Sequence, residues 1–383
     1  MDFSPSPEQQ QFYEAVAEFA AGTLNDDVAE RTRDGVFRRD LWEACAKFGL
    51  LGLPVPSEFG GTAQDLPTTV FAMEALGFGC RDQGLLFSLH AHLWAVVMPV
   101  IAFAPDALRR RLLPGLVDGS LIGAHAISEP ESGSDTFAMR ATATLDGDSY
   151  VLDGVKTWVT NAPIADVFIV FATVNPKRGM FGVTGFVIEK GHPGIRVSPS
   201  FRKMGLTTSP MSEVILEGCR VPVEQRLGKE GQGAAIFNHS MAWERSCILA
   251  SQVGALDHQF QRALCYAKER QQFGKPIGNF QQVASRLVDM KTRLETSRLL
   301  LYRTAWKQSQ GEDITMDAAM VKLYVSESAV QSALDAIQIH GGNGYMEEYG
   351  VERDLRDAVG GRLYSGTSEI QRLIIARSMG LRP

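Results

Sequence analysis

Cysteine is scarce in this sequence: Cys45, Cys80, Cys219, Cys247 and Cys265 are scattered over 383 residues, and none forms a C-x-x-C pair. An odd, dispersed set argues against a disulfide framework or a zinc site, and each thiol is expected to be a reduced core residue. Charge of one sign is scarce as well. Lysine and arginine total 38 against 44 acidic residues, a formal charge of -6, so the overall field disfavours nucleic acid. The longest basic cluster, Arg109-Arg110-Arg111, reads first as a solvated helix face. No apolar run approaches the roughly 20 residues that span a bilayer. Met1-Asp2-Phe3-Ser4-Pro5 carries no basic and then apolar leader. The expectation is a cytoplasmic protein with no nucleic-acid or membrane partner. Apolar residues make up 45% and charged residues 21%, which excludes disorder and collagen-like structure.

Common enzyme signatures are also missing. No G-x-G-x-x-G follows a predicted strand, and there is no G-x-x-x-x-G-K-[ST], G-x-S-x-G or H-E-x-x-H. What is present is an α+β order with three segments. Residues 1–119 read as a helical domain. Ser6-Pro7 with Gln9 resembles a capping box, and apolar residues follow at helical spacing. Leu85 to Ala102 is apolar enough to be a helix buried on most sides. Residues 120–229 read as an antiparallel β-sheet or barrel, with turn signals at Asp146-Gly147 and Asp153-Gly154 between β-rich runs. Residues 230–383 read as a C-terminal four-helix bundle, with amphipathic stretches at about 235–270, 280–310, 315–340 and 368–378.

Short polar, glycine-rich motifs sit at the joints of these segments. They are Ser128-Glu129-Pro130-Glu131-Ser132-Gly133-Ser134-Asp135, Lys156-Thr157-Trp158-Val159-Thr160-Asn161, Glu269-Arg270-Gln271-Gln272-Phe273-Gly274-Lys275, Gln338-Ile339-His340-Gly341-Gly342-Asn343-Gly344-Tyr345 and Tyr364-Ser365-Gly366-Thr367-Ser368-Glu369-Ile370. Each alone reads as turns, caps or core. In this order and spacing they make the chain resemble the acyl-CoA dehydrogenase family over essentially its whole length.

The resemblance implies FAD, a helical/β-barrel/helical fold and a homotetramer, a dimer of dimers sharing flavin sites. By the same resemblance Ile127, Ser128, Gly133 and Ser134 border flavin and substrate, and Trp158 and Thr160 meet the isoalloxazine. Arg270, Gln272, Phe273, Gln281, Gln338, Gly341 and Gly342 are expected to reach the dinucleotide part across a subunit boundary, and Thr367 and Glu369 to close the site. Ser134, Trp243, Arg245, Tyr364 and Ser365 are expected at the substrate. An electron acceptor is implied.

The chemistry implied is loss of a Cα proton from an acyl thioester as hydride leaves Cβ for the flavin, which needs a carboxylate base of raised pKa. Many family members place a glutamate directly before Gly-Thr of the last motif; here that residue is Ser365. A subset places the base on an early bundle helix, in a segment ending Glu-Arg. Met241-Ala242-Trp243-Glu244-Arg245 matches it, so Glu244 is expected to be the base and Ser365→Ala to be mild.

Gly77-Phe78-Gly79-Cys80, Asn161-Ala162-Pro163-Ile164-Ala165-Asp166 and Tyr364-Ser365-Gly366-Thr367-Ser368 resemble prolyl carrier-protein dehydrogenases more closely than catabolic enzymes. Thr207 stands where many CoA-using relatives have arginine. The expectation is a short or cyclic acyl or aminoacyl group, such as prolyl, on a carrier protein. A short- or branched-chain acyl-CoA dehydrogenase is the alternative. A repurposed flavoprotein or a flavin monooxygenase is the alternative of another class. An acidic carrier would need a basic patch, for which Arg109, Arg110, Arg111, Arg202 and Lys203 are candidates.

Overall fold

A computed structural model describes residues 5–382; Met1 to Ser4 therefore lie outside it. The N-terminal helices are α1 (Pro7–Thr23), α2 (Val28–Asp34), α3 (Arg39–Lys47), α4 (Leu66–Gly79), α5 (Gln83–His92), α6 (Met98–Phe103) and α7 (Asp106–Val117). The capping box forms as its sequence suggests: Ser6 Oγ accepts from Gln9 N at 3.2 Å, and Gln9 Oε1 accepts from Ser6 N at 2.9 Å. A π-helical turn, Leu93–Val97, joins α5 to α6. By length and composition the run Gln83–Phe103 could cross a membrane, contrary to the expectation that no such run exists. Its most apolar stretch is 83% buried inside the protein, as a core helix would be.

The middle segment is an eight-stranded sheet. Its strands are β1 (Gly123–Ala126), β2 (Thr142–Asp146), β3 (Ser149–Thr160), β4 (Val167–Thr173), β5 (Val183–Glu189), β6 (Ile195–Val197), β7 (Met211–Pro222) and β8 (Arg226–Leu227). The order is β6-β7-β3-β2-β4-β5-β8, with β1 parallel to β4. Every β4 residue is buried because its two faces serve different cores. Val167, Ile169 and Phe171 join the core shared with the helices, while Phe168, Val170 and Ala172 fill the sheet's own interior.

Asp146-Gly147 makes the β2–β3 turn, with Gly147 at φ 65°. Asp153-Gly154 does not turn the chain. Both lie inside β3, at a register shift against β7. Gly154 has φ 145°, and a Cβ there would come within 2.6 Å of the Ala141 Cβ, so the glycine serves close strand packing.

The C-terminal helices are α8 (Gly233–Cys247), α9 (Ala250–Glu269), α10 (Gln281–Ser309), α11 (Thr315–His340), α12 (Val351–Gly360) and α13 (Ser368–Ser378). The expected 235–270 helix breaks between α8 and α9, and α12 was not anticipated. A short ribbon, β9 (Gln271–Gln272) with β10 (Lys275–Pro276), projects between α9 and α10. Four cysteines are buried as expected; Cys265 is exposed on α9, its thiol 3.1 Å from Glu269 Oε1.

Candidate active site

Glu244, on α8, is 8% exposed, and its Oε2 accepts a 2.6 Å hydrogen bond from the Ser365 hydroxyl. Burial raises its pKa above the ordinary 4.5, and the Ser365 hydroxyl and Arg245 pull it partly back. Ser365 sits at φ 53° and Gly366 at 89°, two successive left-handed residues that turn the chain sharply before α13. The turn is held from both sides. Arg245 Nε donates to the Ser365 carbonyl at 3.2 Å, and Gln371 Nε2 donates to the carbonyls of Ser365 and Gly366 at 3.1 and 2.9 Å. Gln371, fully buried, was not foreseen; a glutamine inside a helical repeat carries no signal until its partner is known. Thr367 caps α13, its Oγ1 accepting from Ile370 N at 3.4 Å, while Glu369 is exposed in the first turn.

Aromatic contacts fix the surroundings of Glu244. Trp243 stacks on Trp94 at 5.9 Å and 4°, so its ring ties α8 to the N-terminal helices. Trp94 Nε1 donates to His90 Nδ1 at 2.8 Å. An indole N–H only donates, so His90 Nδ1 is unprotonated and its Nε2–H donates to Ser251 Oγ, 2.8 Å away. Burial drives the His90 pKa down to about 3, keeping it in that neutral state.

The first two motifs meet at a backbone hydrogen bond. The Ser128 carbonyl accepts from Thr157 N at 2.9 Å. A β-bulge between Lys156 and Val159 leaves Trp158 at φ 54° and 54% exposed, while Thr160 is half-buried. Gly133 and Ser134 are exposed, and a Cβ on Gly133 would lie 3.8 Å from the Trp158 ring. Beneath them lies an ion pair that sequence reasoning did not single out. Lys156 Nζ, fully buried, donates to Glu129 Oε1 at 2.7 Å and to the Ile127 carbonyl at 3.2 Å. Glu129 also accepts from Arg140 N and Ala141 N at 2.6 and 2.9 Å. Lys156 thus joins the strand carrying Trp158 to the loop carrying Ser128 and Gly133.

The remaining predicted residues gather at one end of the bundle. Tyr266 stacks on His340 at 4.3 Å and accepts from Asn343 Nδ2 at 3.0 Å, bringing the end of α9 to the Gly341–Tyr345 turn. Arg270, Gln272, Gln281, Gln338, Gly341 and Gly342 are all exposed there. Phe273 and Gly274, at φ 52° and 77°, form the ribbon's turn, which leaves Phe273 92% exposed. Among the described residues no hydrogen bond joins this end to the Glu244 region.

The five-residue basic patch does not survive as a set. Lys203 turns inward, donating to the carbonyls of Leu206 and Ser209, and burial lowers its pKa to about 8. Arg109 pairs with Asp106 and Arg111 with Glu189, so Arg110 and Arg202 remain exposed without an ion pair among the described residues. The Thr207 hydroxyl donates to the Thr32 carbonyl, tying its loop to α2.

A helical, sheet and helical order with these motifs at its seams is matched along the chain by family models. They are the N-terminal (residues 6–120), middle (124–219) and C-terminal (231–380) domains of acyl-CoA dehydrogenase. The chain belongs to the acyl-CoA dehydrogenase family. It is similar to an L-prolyl-[peptidyl-carrier protein] dehydrogenase from a Serratia species, 47% identical over 100% of this chain and 99% of the relative. Among solved structures it resembles the prolyl acyl carrier protein oxidase AnaB, at 45% identity and TM-score 0.98 over 99% of this chain and 100% of that one. It resembles PigA with FAD and proline at 46% identity and TM-score 0.98, each chain covered in full.

Proposed function

We propose that this protein is an FAD-dependent dehydrogenase of a prolyl group tethered to a carrier protein, with Glu244 as the base. The observation that carries the assignment is a buried carboxylate of raised pKa, held by the residue that occupies the usual base position.

The residues present fit a flavin. Trp158 is an exposed indole held out at a bulge over Gly133. Gly341 and Gly342 leave open space, since a Cβ on either would meet nothing within 4 Å, which suits a close-lying dinucleotide. Arg270 is exposed, and no ion pair engages it among the described residues. Trp158, Thr160, Ser128, Gly133 and Ser134 would hold the ring system, and Arg270 would meet the diphosphate from a neighbouring subunit. When bound, FAD supplies the acceptor for the hydride from Cβ.

Glu244 takes the Cα proton, and its apolar setting brings the carboxylate closer in basicity to that weak acid. The Ser365 hydroxyl orients the carboxylate. The Ser365 backbone N–H, which has no acceptor among the described residues, is free to hold the thioester carbonyl as negative charge develops there. The hydroxyl contact revises the expectation for Ser365→Ala. That variant is expected to reduce flavin about tenfold more slowly. Its pH–rate profile should move to higher pH, because the lost hydrogen bond had been lowering the Glu244 pKa.

The carrier-bound prolyl group is supported by the names of the Serratia relative and of AnaB, and by Thr207 folding onto α2 instead of presenting a cation. The test is mass spectrometry of a prolyl-loaded carrier protein after turnover. Loss of one or more pairs of hydrogens is expected; unchanged mass beside an oxidised short acyl-CoA would reject the carrier. The proposed assembly is a homotetramer in which Phe273 and Arg270 complete a neighbour's flavin site. Phe273→Ala is expected to weaken subunit association by about 2 kcal/mol or more. Gel filtration should show smaller species that have lost FAD; a holo-tetramer of unchanged stability would contradict this.

A further inference from the structure

Tyr364 stands directly before Ser365. The Ser365 hydroxyl donates to Glu244 at 2.6 Å, which places Tyr364 one residue from the base's partner, and burial and then the charge of Glu244 raise its phenol pKa. Its ring lies 4.6 Å from the ring of Phe87 on α5, tilted by 37°. Both rings also line a cavity with about 50 Å³ of space accessible to water. Ile248, Ser251, Ala255 and Gln259 line it too, three or four residues apart and therefore on one face of the chain through α9. The cavity therefore borders the neighbour of Ser365, whose hydroxyl donates to Glu244, while Glu244 itself does not line it. Its polar end is unfinished: Gln259 is 5% exposed, and its side-chain oxygen has no hydrogen-bond partner among the described residues.

We propose that the Phe87–Tyr364 ring pair plugs the acyl pocket and confines the enzyme to short or cyclic acyl groups. The inference rests on Glu244 being the base, since that fixes where Cα sits. A pyrrolidine ring closes back on its own Cα and stays on the Glu244 side. A straight chain must instead advance with each methylene, and Phe87 occupies its path. Removing that ring joins the pocket to the cavity along α9, where each added methylene that becomes buried would improve binding about fourfold.

The test compares wild type, Phe87→Ala and Phe87→Ala/Ala255→Phe, all loaded with FAD. Anaerobic flavin reduction is followed with butyryl-, hexanoyl- and octanoyl-CoA and with prolyl-loaded carrier protein. Phe87→Ala is expected to raise the octanoyl-to-butyryl ratio of kcat/KM by about tenfold or more. Refilling the cavity at Ala255 should remove that gain. An unchanged ratio in Phe87→Ala, or a gain that survives the refill, overturns the plug. If Phe87→Ala does not retain FAD, Phe87→Leu must shift the hexanoyl-to-butyryl ratio in the same direction, and no shift overturns it equally. The ratio uses straight-chain esters alone. Failure of the prolyl assignment would appear separately, as a wild-type enzyme that the prolyl carrier does not reduce.

Discussion

Glu244→Gln should keep its FAD and lose about 10²- to 10⁴-fold in the rate of flavin reduction by the thioester, the usual contribution of a positioned general base. The amide is close in shape and retains an oxygen to accept from Ser365, so the variant removes basicity with little change in packing. Two pH signatures accompany it. In wild type the reduction rate should fall as pH drops through the raised Glu244 pKa, because only the carboxylate accepts a proton. Stability should move the other way. A carboxyl whose folded pKa is raised contributes fully below its unfolded pKa, and that contribution is lost as pH rises through the folded pKa. At pH 8 the buried charge is therefore a cost, and Glu244→Gln should melt at higher temperature than wild type. Near pH 4 both side chains are neutral and the difference should vanish. Calorimetry at the two pH values checks the sign; a variant less stable at pH 8 would mean that the carboxylate is well solvated or paired.

The second large effect is expected at a residue remote from proton transfer. Lys156→Met should destabilise the protein by about 3–5 kcal/mol, because it leaves Glu129 buried without its cation. Glu129 would keep the Arg140 and Ala141 amides, so the loop retains part of its anchorage. What it loses is the tie to the strand of Trp158 and to the Ile127 carbonyl. Weakened flavin retention should therefore accompany the lower melting temperature. Urea titration and flavin absorbance after gel filtration measure the two. A variant as stable as wild type that binds FAD normally would make the ion pair incidental to the cradle.

The parts of the site that were legible in the sequence are those whose chemistry is local. Short motifs with glycines and polar residues at fixed offsets carried the family resemblance and the cofactor contacts it implies, and the three-segment order followed from helical periodicity on either side of β-rich runs bounded by turn signals. Contacts between distant residues were not legible. Ser365 and Glu244 are 121 residues apart, and nothing in either segment announces that a hydroxyl will donate to that carboxylate. Lys156 alternates within a strand whose other residues include exposed Val155 and Trp158, so its complete burial depends on Glu129 arriving from another loop. Asp153-Gly154 has the composition of a hairpin turn, yet tertiary packing against Ala141 used the same glycine as a bulge. Lys203 looked like a docking cation because it forms a basic pair with Arg202. It is drawn inward by two carbonyls of its own loop. The break between α8 and α9 follows no proline or glycine at Ile248 or Leu249, and so left no mark in the periodicity.

The most direct test of the account is anaerobic mixing of the FAD-loaded enzyme with prolyl-loaded carrier protein, carrying hydrogen or deuterium at the prolyl Cα. Flavin bleaching that is faster than with butyryl- or isovaleryl-CoA, and that slows on deuteration, is the predicted result. Bleaching by the CoA esters with none from the prolyl carrier would contradict it.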